Sequence, residues 1–274
     1  MQPWRWIPPG LSDGASHMST DAALAECART FGRPSMRLYH WVPSCISLGH
    51  HQDSGSIDLD RCQEEGIDVV RRPTGGRAVF HAEEITYAVI LPPGAEGGDT
   101  IRSVYRMIGT GLVCGLRKLG VPAQLERRPL NFHTHYRSAL SVSCFSAAAR
   151  DEIVLGGRKL VGSAQRRLPN GILQHGSILL GDAHLRLPEF FRDVDSAGRL
   201  RMREEIAWKT VSIRSALNRI IPFEEGAEAL RSGMEEALDI RFETGGPTVA
   251  ETSLMETGRR HYAIVSRSVI RERD

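Results

Sequence analysis

Arg71-Arg72-Pro73-Thr74-Gly75-Gly76-Arg77-Ala78-Val79-Phe80-His81 breaks a β-prone run with a Gly-Gly turn and surrounds that turn with arginines. Ile67 to Arg71 reads as a strand feeding the turn. The glycines let the backbone bend sharply and approach a bound group closely, and flanking guanidiniums can bind an anionic group through a planar fork of donors. A lone Gly-Gly would be a hairpin turn with solvated arginines. This one is followed by Glu83-Glu84-Ile85-Thr86-Tyr87 and answered downstream by a second stretch, Gly157-Arg158-Lys159-Leu160-Val161-Gly162-Ser163-Ala164-Gln165.

Working outward, Ile85 to Leu91 is the clearest strand. It is apolar on both faces, which predicts a central place in its sheet. Met36–Trp41 and Cys45–Leu48 read as strands around a Pro43-Ser44 turn, and Ile172–Leu180 as another. Ile153-Val154-Leu155 and Arg158-Lys159-Leu160-Val161 flank Gly156-Gly157, which predicts a tight hairpin because both turn positions need positive φ. The spacing of Ile101, Val104, Tyr105, Ile108, Leu112, Leu116 and Leu119 predicts a helix. Further helices are expected from about Thr20 to Arg29, capped by Ser19 or Thr20, from Asp58 to Glu65, and from Phe223 to Leu238. A terminal strand is expected over His261–Val265. Strands in hairpins mixed with helices point to an α+β fold.

The chain has 274 residues, 41% hydrophobic and 25% charged, as in an ordinary globular protein. A single domain is expected, with its core over about 30–220 and a short C-terminal helical extension over about 221–274. Formal net charge is +2, which argues against nucleic-acid binding by bulk electrostatics. No apolar run reaches the length of a membrane span, and no signal-peptide pattern is visible. The five cysteines, at 27, 45, 62, 114 and 144, form no CxxC pair, so neither a zinc site nor a disulfide framework is indicated. A reducing cytoplasm is the expected compartment. His133 and His135 stand in a loop with no ligand set around them, and no metal is expected. Monomer is the default expectation. No role follows for His50 or His51.

The two glycine-bounded stretches together resemble the catalytic core of the biotin/lipoate protein ligase and octanoyltransferase superfamily. The first is similar to the RRxTGGRAVxHxxExTY pattern of octanoyltransferases of the lipoyl-assembly (LipM) type. Lipoate ligases usually carry a third glycine where this chain has Arg77, and the family's frequent acid after the histidine is replaced by Ala82. The resemblance spans about Trp4 to Phe242. It implies a mixed, largely antiparallel sheet flanked by helices. It also implies a substrate site built from Arg72, Thr74, Gly75, Gly76, Arg77, His81, Gly162, Ser163, Ala164 and His175. The small residues at 162–164 would let an acyl thioester lie against the strand, and His175 and His81 would order the pocket.

Lys159 is the superfamily's lysine. Cys144 sits in Ser141-Val142-Ser143-Cys144-Phe145-Ser146, a polar stretch unlike a core strand or helix face, fifteen residues before Lys159. The resembling octanoyltransferases carry a Cys-Phe pair at this spacing, although Ala147-Ala148-Ala149 departs from their usual Pro-Ser. The resemblance makes Cys144 the nucleophile and Lys159 its neighbour. An adjacent ammonium favours the thiolate. The thiolate would take octanoyl from acyl carrier protein, and a lysine of a lipoyl domain such as the glycine-cleavage H protein would receive it. The donor is already activated, so no ATP or other cofactor is expected. Three alternatives share parts of the pattern. They are an ATP-dependent lipoate–protein ligase, an amidotransferase moving octanoyl between lipoyl domains, and a non-catalytic acyl- or lipoyl-domain-binding module. Cys144, Cys27, Cys45, Cys62 and Cys114 divide accordingly, the last four reading as inert small hydrophobes.

Overall fold

The computed structural model describes residues 3–95, 97, 100–126 and 151–264; Cys144, His133 and His135 lie outside these. The first element is strand β1, Trp4–Ser12, followed by helix α1, Gly14–Phe31. Strands β2, Ser35–Trp41, and β3, Cys45–Leu48, lead through helix α2, Leu59–Glu64, to β4, Asp68–Arg71. After the Gly-Gly turn come β5, Val79–His81, and β6, Glu84–Leu91, then helix α3, Ile101–Lys118. Strands β7, Gln124–Leu125, β8, Ile153–Leu155, β9, Arg158–Leu168, and β10, Gly171–Leu179, complete the middle of the chain. A 3₁₀ helix, Ala183–Phe190, precedes α4, Ser196–Lys209, and α5, Ile213–Leu217. The last elements are α6, Phe223–Leu238, β11, Phe242–Thr244, and α7, Val249–Tyr262.

The main sheet has eight strands in the order β11-β1-β2-β6-β10-β9-β8-β7, and a smaller sheet has the order β4-β3-β5. Pairing from β2 to β7 is antiparallel, while β1 runs parallel to both β2 and β11. Side-chain alternation in β6 divides the two cores. Ile85, Tyr87, Val89 and Leu91 face α3 and α6, where Val104, Ile108, Leu112, Leu230 and Met234 meet them. Ala88 and Ile90 face α1, meeting Leu24, Ala25 and Ala28. The mixed, largely antiparallel sheet flanked by helices and the central place of β6 are as the sequence implied.

Three elements differ. The first helix starts at Gly14, capped by Asp13, whose side chain accepts from Ser16 N at 2.8 Å. Its first turn holds Gly14, Ser16 and His17, which have poor helix propensity and obscure the start. β1 contains Pro8 and Pro9, which cannot donate to a ladder, and its register shifts between Ile7 and Gly10. Of the strand expected at His261–Val265, His261 and Tyr262 are the end of α7, and Val265 lies outside the described residues. A capping box between Thr248 and Glu251 starts that helix. Only Ala263 bridges to Val70, with Ile264 N donating to Val69 O at 2.8 Å.

Candidate active site

The face of β6, β9 and β10 that looks toward α1 and the small sheet encloses a cavity. Six residues named from the sequence line it: Arg72, His81, Gly162, Ser163, Ala164 and His175. Met18, Tyr39, Trp41 and Val79 add apolar wall. Small residues are required here, since a Cβ at Gly176 would lie 2.4 Å from Gly162 O. Thr74, Gly75, Gly76 and Arg77 are not among the lining residues. They form the turn that holds Arg72, and a Cβ at Gly49 would meet Gly76 O at 2.0 Å, so the two loops touch backbone to backbone.

Arg71 and Arg72 of the motif donate to loop backbone. Arg72 is buried. Its Nη1 donates to Ser47 O at 3.0 Å and Ser47 Oγ at 3.1 Å, and its Nη2 donates to Gly75 O and Arg77 O, both at 2.8 Å. Nε donates to Gly75 O at 3.1 Å. Arg71 Nη1 donates to Gly49 O, His50 O and Gln52 O at 3.0, 3.3 and 2.6 Å. Both guanidiniums therefore clamp loop carbonyls and fix the Gly-Gly turn, and Arg72 also lines the cavity. Arg166 Nη1 ties the same turn to β9 through Pro73 O at 2.7 Å.

Two buried networks lie under the cavity. In the first, Asp21 Oδ1 accepts from Arg37 at 2.8 Å, and Oδ2 accepts from Tyr39 at 3.0 Å and from His175 Nδ1 at 2.8 Å. His175 Nε2 meets Thr74 Oγ1 at 2.6 Å. Burial alone would raise the Asp21 carboxyl, but hydrogen bonding from His175 and the charge of Arg37 outweigh it and hold it low. Burial and then Arg37 push His17 down to about 3, so it is a neutral imidazole. Its Nδ1 accepts from Arg37 at 2.9 Å and its Nε2 donates to His40 O at 3.0 Å. In the second network Glu84 Oε1 meets His81 Nδ1 at 2.8 Å and accepts from Ser177 at 2.9 Å and from Thr86. His81 Nε2 meets Ser47 Oγ at 2.7 Å, and its ring stacks on Trp41 with centroids 4.1 Å apart. With these groups turned toward one another, the wall left to a ligand is mostly carbon.

Lys159 is buried on β9, outside the lining of this cavity, and donates to Glu152 Oε1 at 2.7 Å. Gly156 and Gly157 make the hairpin before it, at φ of 57° and 75°. A register shift between Ile153 and Val154 places an extra residue, Leu160, on β9, so Leu160 and Val161 both enter the core. Burial raises the thiols of all four described cysteines, Cys62 to about 12 and Cys45 well above its ordinary range. Cys45 and Cys62 are buried, whereas Cys27 and Cys114 are half-buried, Cys114 facing Glu236. Among the described residues no group of three or more His, Cys, Asp or Glu is placed to hold a metal.

Asp21, Arg37, Glu84 and Glu152 were not singled out from the sequence. Signals existed for two of them. Asp21 is a single acid within an Ala/Leu-rich helix body. Glu84 and Thr86 are polar at alternate positions of a strand that is otherwise apolar on both faces, so they mark where that face leaves the core for the site.

The chain matches the model of the lipoyl protein ligase A/B catalytic domain over residues 13–235. It is 38% identical over 262 residues to an octanoyltransferase LipM of Kyrpidia tusciae, covering 93% of this chain and 94% of that one. It is 36% identical to an octanoyltransferase LipM of Symbiobacterium thermophilum, covering 93% of each. Its fold is like that of lipoate-protein ligase A bound with ATP, with a TM-score of 0.75 and 22% identity over 94% of this chain and 95% of that chain. A bi-partite lipoate protein ligase of Thermoplasma acidophilum gives a TM-score of 0.75 at 19% identity over 94% of this chain and 93% of that chain. The arginine-clamped turn and the lysine strand thus sit in a known frame, and the chain belongs to the lipoyl protein ligase A/B catalytic-domain family, within its octanoyltransferases.

Proposed function

We propose that this acyltransferase takes octanoyl from octanoyl-acyl carrier protein onto Cys144 and passes it to a lysine of a lipoyl domain, with the glycine-cleavage H protein as acceptor. Octanoyl transfer in lipoate biosynthesis is supported by relatives named octanoyltransferase LipM at 33–38% identity over most of the chain. The observation that carries the reading is the carbon-walled pocket against Gly162-Ser163-Ala164, whose apolar lining matches the chemistry of an unbranched acyl chain. The four described cysteines are held as thiols, which favours Cys144 as the nucleophile.

The steps balance without a co-reactant. The Cys144 thiolate attacks the donor's thioester carbonyl, and the carrier's thiolate leaves and takes a proton. The acceptor amine then attacks the enzyme thioester, the C–N bond forms, the C–S bond breaks, and the proton lost by nitrogen returns the thiol. Lys159 stabilises the thiolate. Unpaired cysteines suit a reducing compartment, and the cytoplasm is the proposed location.

The test is incubation with octanoyl-loaded carrier protein and apo H protein, without ATP, followed by intact mass. Octanoylated H protein is expected. A requirement for ATP and magnesium, with full activity in Cys144→Ala, would turn the reading to a ligase. Transfer only from an octanoylated lipoyl domain would turn it to an amidotransferase. No acyl movement from either donor would leave a binding module.

A further inference from the structure

Among the described residues, Arg5–Glu251, Arg37–Asp21 and Lys159–Glu152 are the buried pairs of a carboxylate with an arginine or lysine. In the first two the carboxylates are saturated. Glu251 Oε1 and Oε2 accept from Arg5, and Oε2 also accepts from Thr248 N. Asp21 uses both oxygens on Arg37, Tyr39 and His175. Glu152 differs. Its Oε1 accepts from Lys159 Nζ at 2.7 Å, while Oε2, like Glu84 Oε2 beneath the cavity, is buried with no hydrogen-bond partner among the described residues. A buried carboxylate placed for architecture is normally saturated, because each lone oxygen costs desolvation.

The backbone goes to some length to bring Glu152 there. Asp151, one residue earlier, adopts a left-handed φ of 66°. Arg102 and Arg106 hold it at 3.1 and 3.5 Å. Glu152 O accepts from Glu126 N at 2.8 Å. The Gly156-Gly157 hairpin and the bulge at Leu160 then set Lys159 opposite Val154, within reach of Glu152. On the far side Val211 N fixes Lys159 O at 3.0 Å. Lys159 and Glu152 side chains are 5% and 4% exposed, so water offers the ammonium little.

We infer that Glu152 is the positioning residue of Lys159: it fixes Nζ on β9 and sets a carboxylate against the ammonium in a buried site. This rests on the reading of Lys159 as the cation beside the nucleophile, and names a residue that holds it in place. Oε2 stays uncommitted because the carboxylate serves one partner.

Two measurements test it. The first follows iodoacetamide labelling of the Cys144 peptide against pH by mass spectrometry, in wild type, Glu152→Gln, Glu152→Asp, Lys159→Met and the Glu152→Gln/Lys159→Met double variant. Glu152→Gln should move the profile to higher pH by about one unit, which is about tenfold slower labelling at neutral pH. The direction should match Lys159→Met, the double variant should move no further than Lys159→Met alone, and Glu152→Asp should recover most of the loss. A merely structural carboxylate would lower thermal stability and leave the profile in place. An unmoved profile, or one shifted to lower pH, overturns the inference. The second is competitive acetylation of the Lys159 amine against pH, expected to be faster at neutral pH in Glu152→Gln; an unchanged rate overturns it. If Glu152→Gln does not fold, Glu152→Asp with its shorter reach should show smaller changes in the same directions, and no change there counts against the inference. Acetylation needs neither octanoyl nor Cys144. It decides the role of Glu152 even if wild type, given donor alone, forms no octanoyl-enzyme and the transfer reading falls.

Discussion

Thr74 Oγ1 and His175 Nε2 lie 2.6 Å apart, and that contact carries the Gly-Gly turn of the arginine motif across the cavity to Asp21 on the first helix. Asp21 accepts from His175 Nδ1, and the Thr74 hydroxyl is the partner of Nε2. Thr74→Val keeps the shape and deletes the hydroxyl, leaving a buried ring nitrogen unpaired. Stability should fall by about 1–3 kcal/mol, read from denaturant midpoints. Octanoyl transfer should fall with it, because the turn loses its tie to β10. A Thr74→Val variant with wild-type midpoint and rate would show the contact to be idle.

Arg72→Lys tests the clamp. Lysine keeps the charge but replaces a planar fork with a point donor, and cannot serve Ser47, Gly75 and Arg77 together. The expected loss is about 1–3 kcal/mol of stability, with a raised KM for the acyl donor as the turn loosens. Were Arg72 an anion site, lysine would largely preserve donor binding and the midpoint would stay put.

Cys144→Ala should abolish transfer while the circular dichroism spectrum and melting temperature hold. Wild type given donor alone should accumulate one octanoyl group that hydroxylamine removes. Replacing Cys62, whose thiol is pushed up to about 12 by burial, should leave that adduct intact. A full rate in folded Cys144→Ala would end the thioester mechanism.

Acid should weaken the fold well before the carboxylates titrate. His17 stays neutral in the folded chain down to about 3 and His184 down to about 4, both held there chiefly by burial, against an ordinary value of 6.5. Below that ordinary value the unfolded chain binds protons that the folded chain refuses. Stability is therefore fully present above pH 6.5 and lost as pH falls toward 4, by about 1.4 kcal/mol per pH unit for each histidine. Urea midpoints across that range measure the slope. His17→Gln should flatten it at the cost of some stability at neutral pH, and an unchanged slope would remove His17 from the account.

Much of the frame was legible in the sequence for local reasons. The period of α3, the Gly156-Gly157 hairpin and the doubly apolar β6 are each written in a short window. The site was legible in part, since the two motifs that line or hold the cavity are contiguous in sequence. What escaped was non-local. Asp21, Arg37 and Glu152 gain meaning only from partners on other elements, such as His175 for Asp21, and no window around them shows it. The backbone contacts of Arg71 and Arg72 were not legible either, because a guanidinium is equally suited to an anion and to carbonyls, and the fold decides which carbonyls are near. β1 was hidden because its prolines argue against a strand, and the chain accommodates them where its register shifts.

The parallel pairing of β1 with both β2 and β11 has a kinetic consequence. Trp4 pairs with Phe242, so one edge of the main sheet closes only when residues far apart along the chain meet. Contacts of such separation are made late, after their loop entropy has been met by more local structure. During synthesis β1 can meet β2 early, but its other edge must wait until β11 has been made. The antiparallel middle of the sheet, whose hairpins are local, can assemble ahead of it. Arg5 reaches Glu251 in the same closure, so the meeting of β1 with β11 and α7 is the step that completes this edge of the sheet.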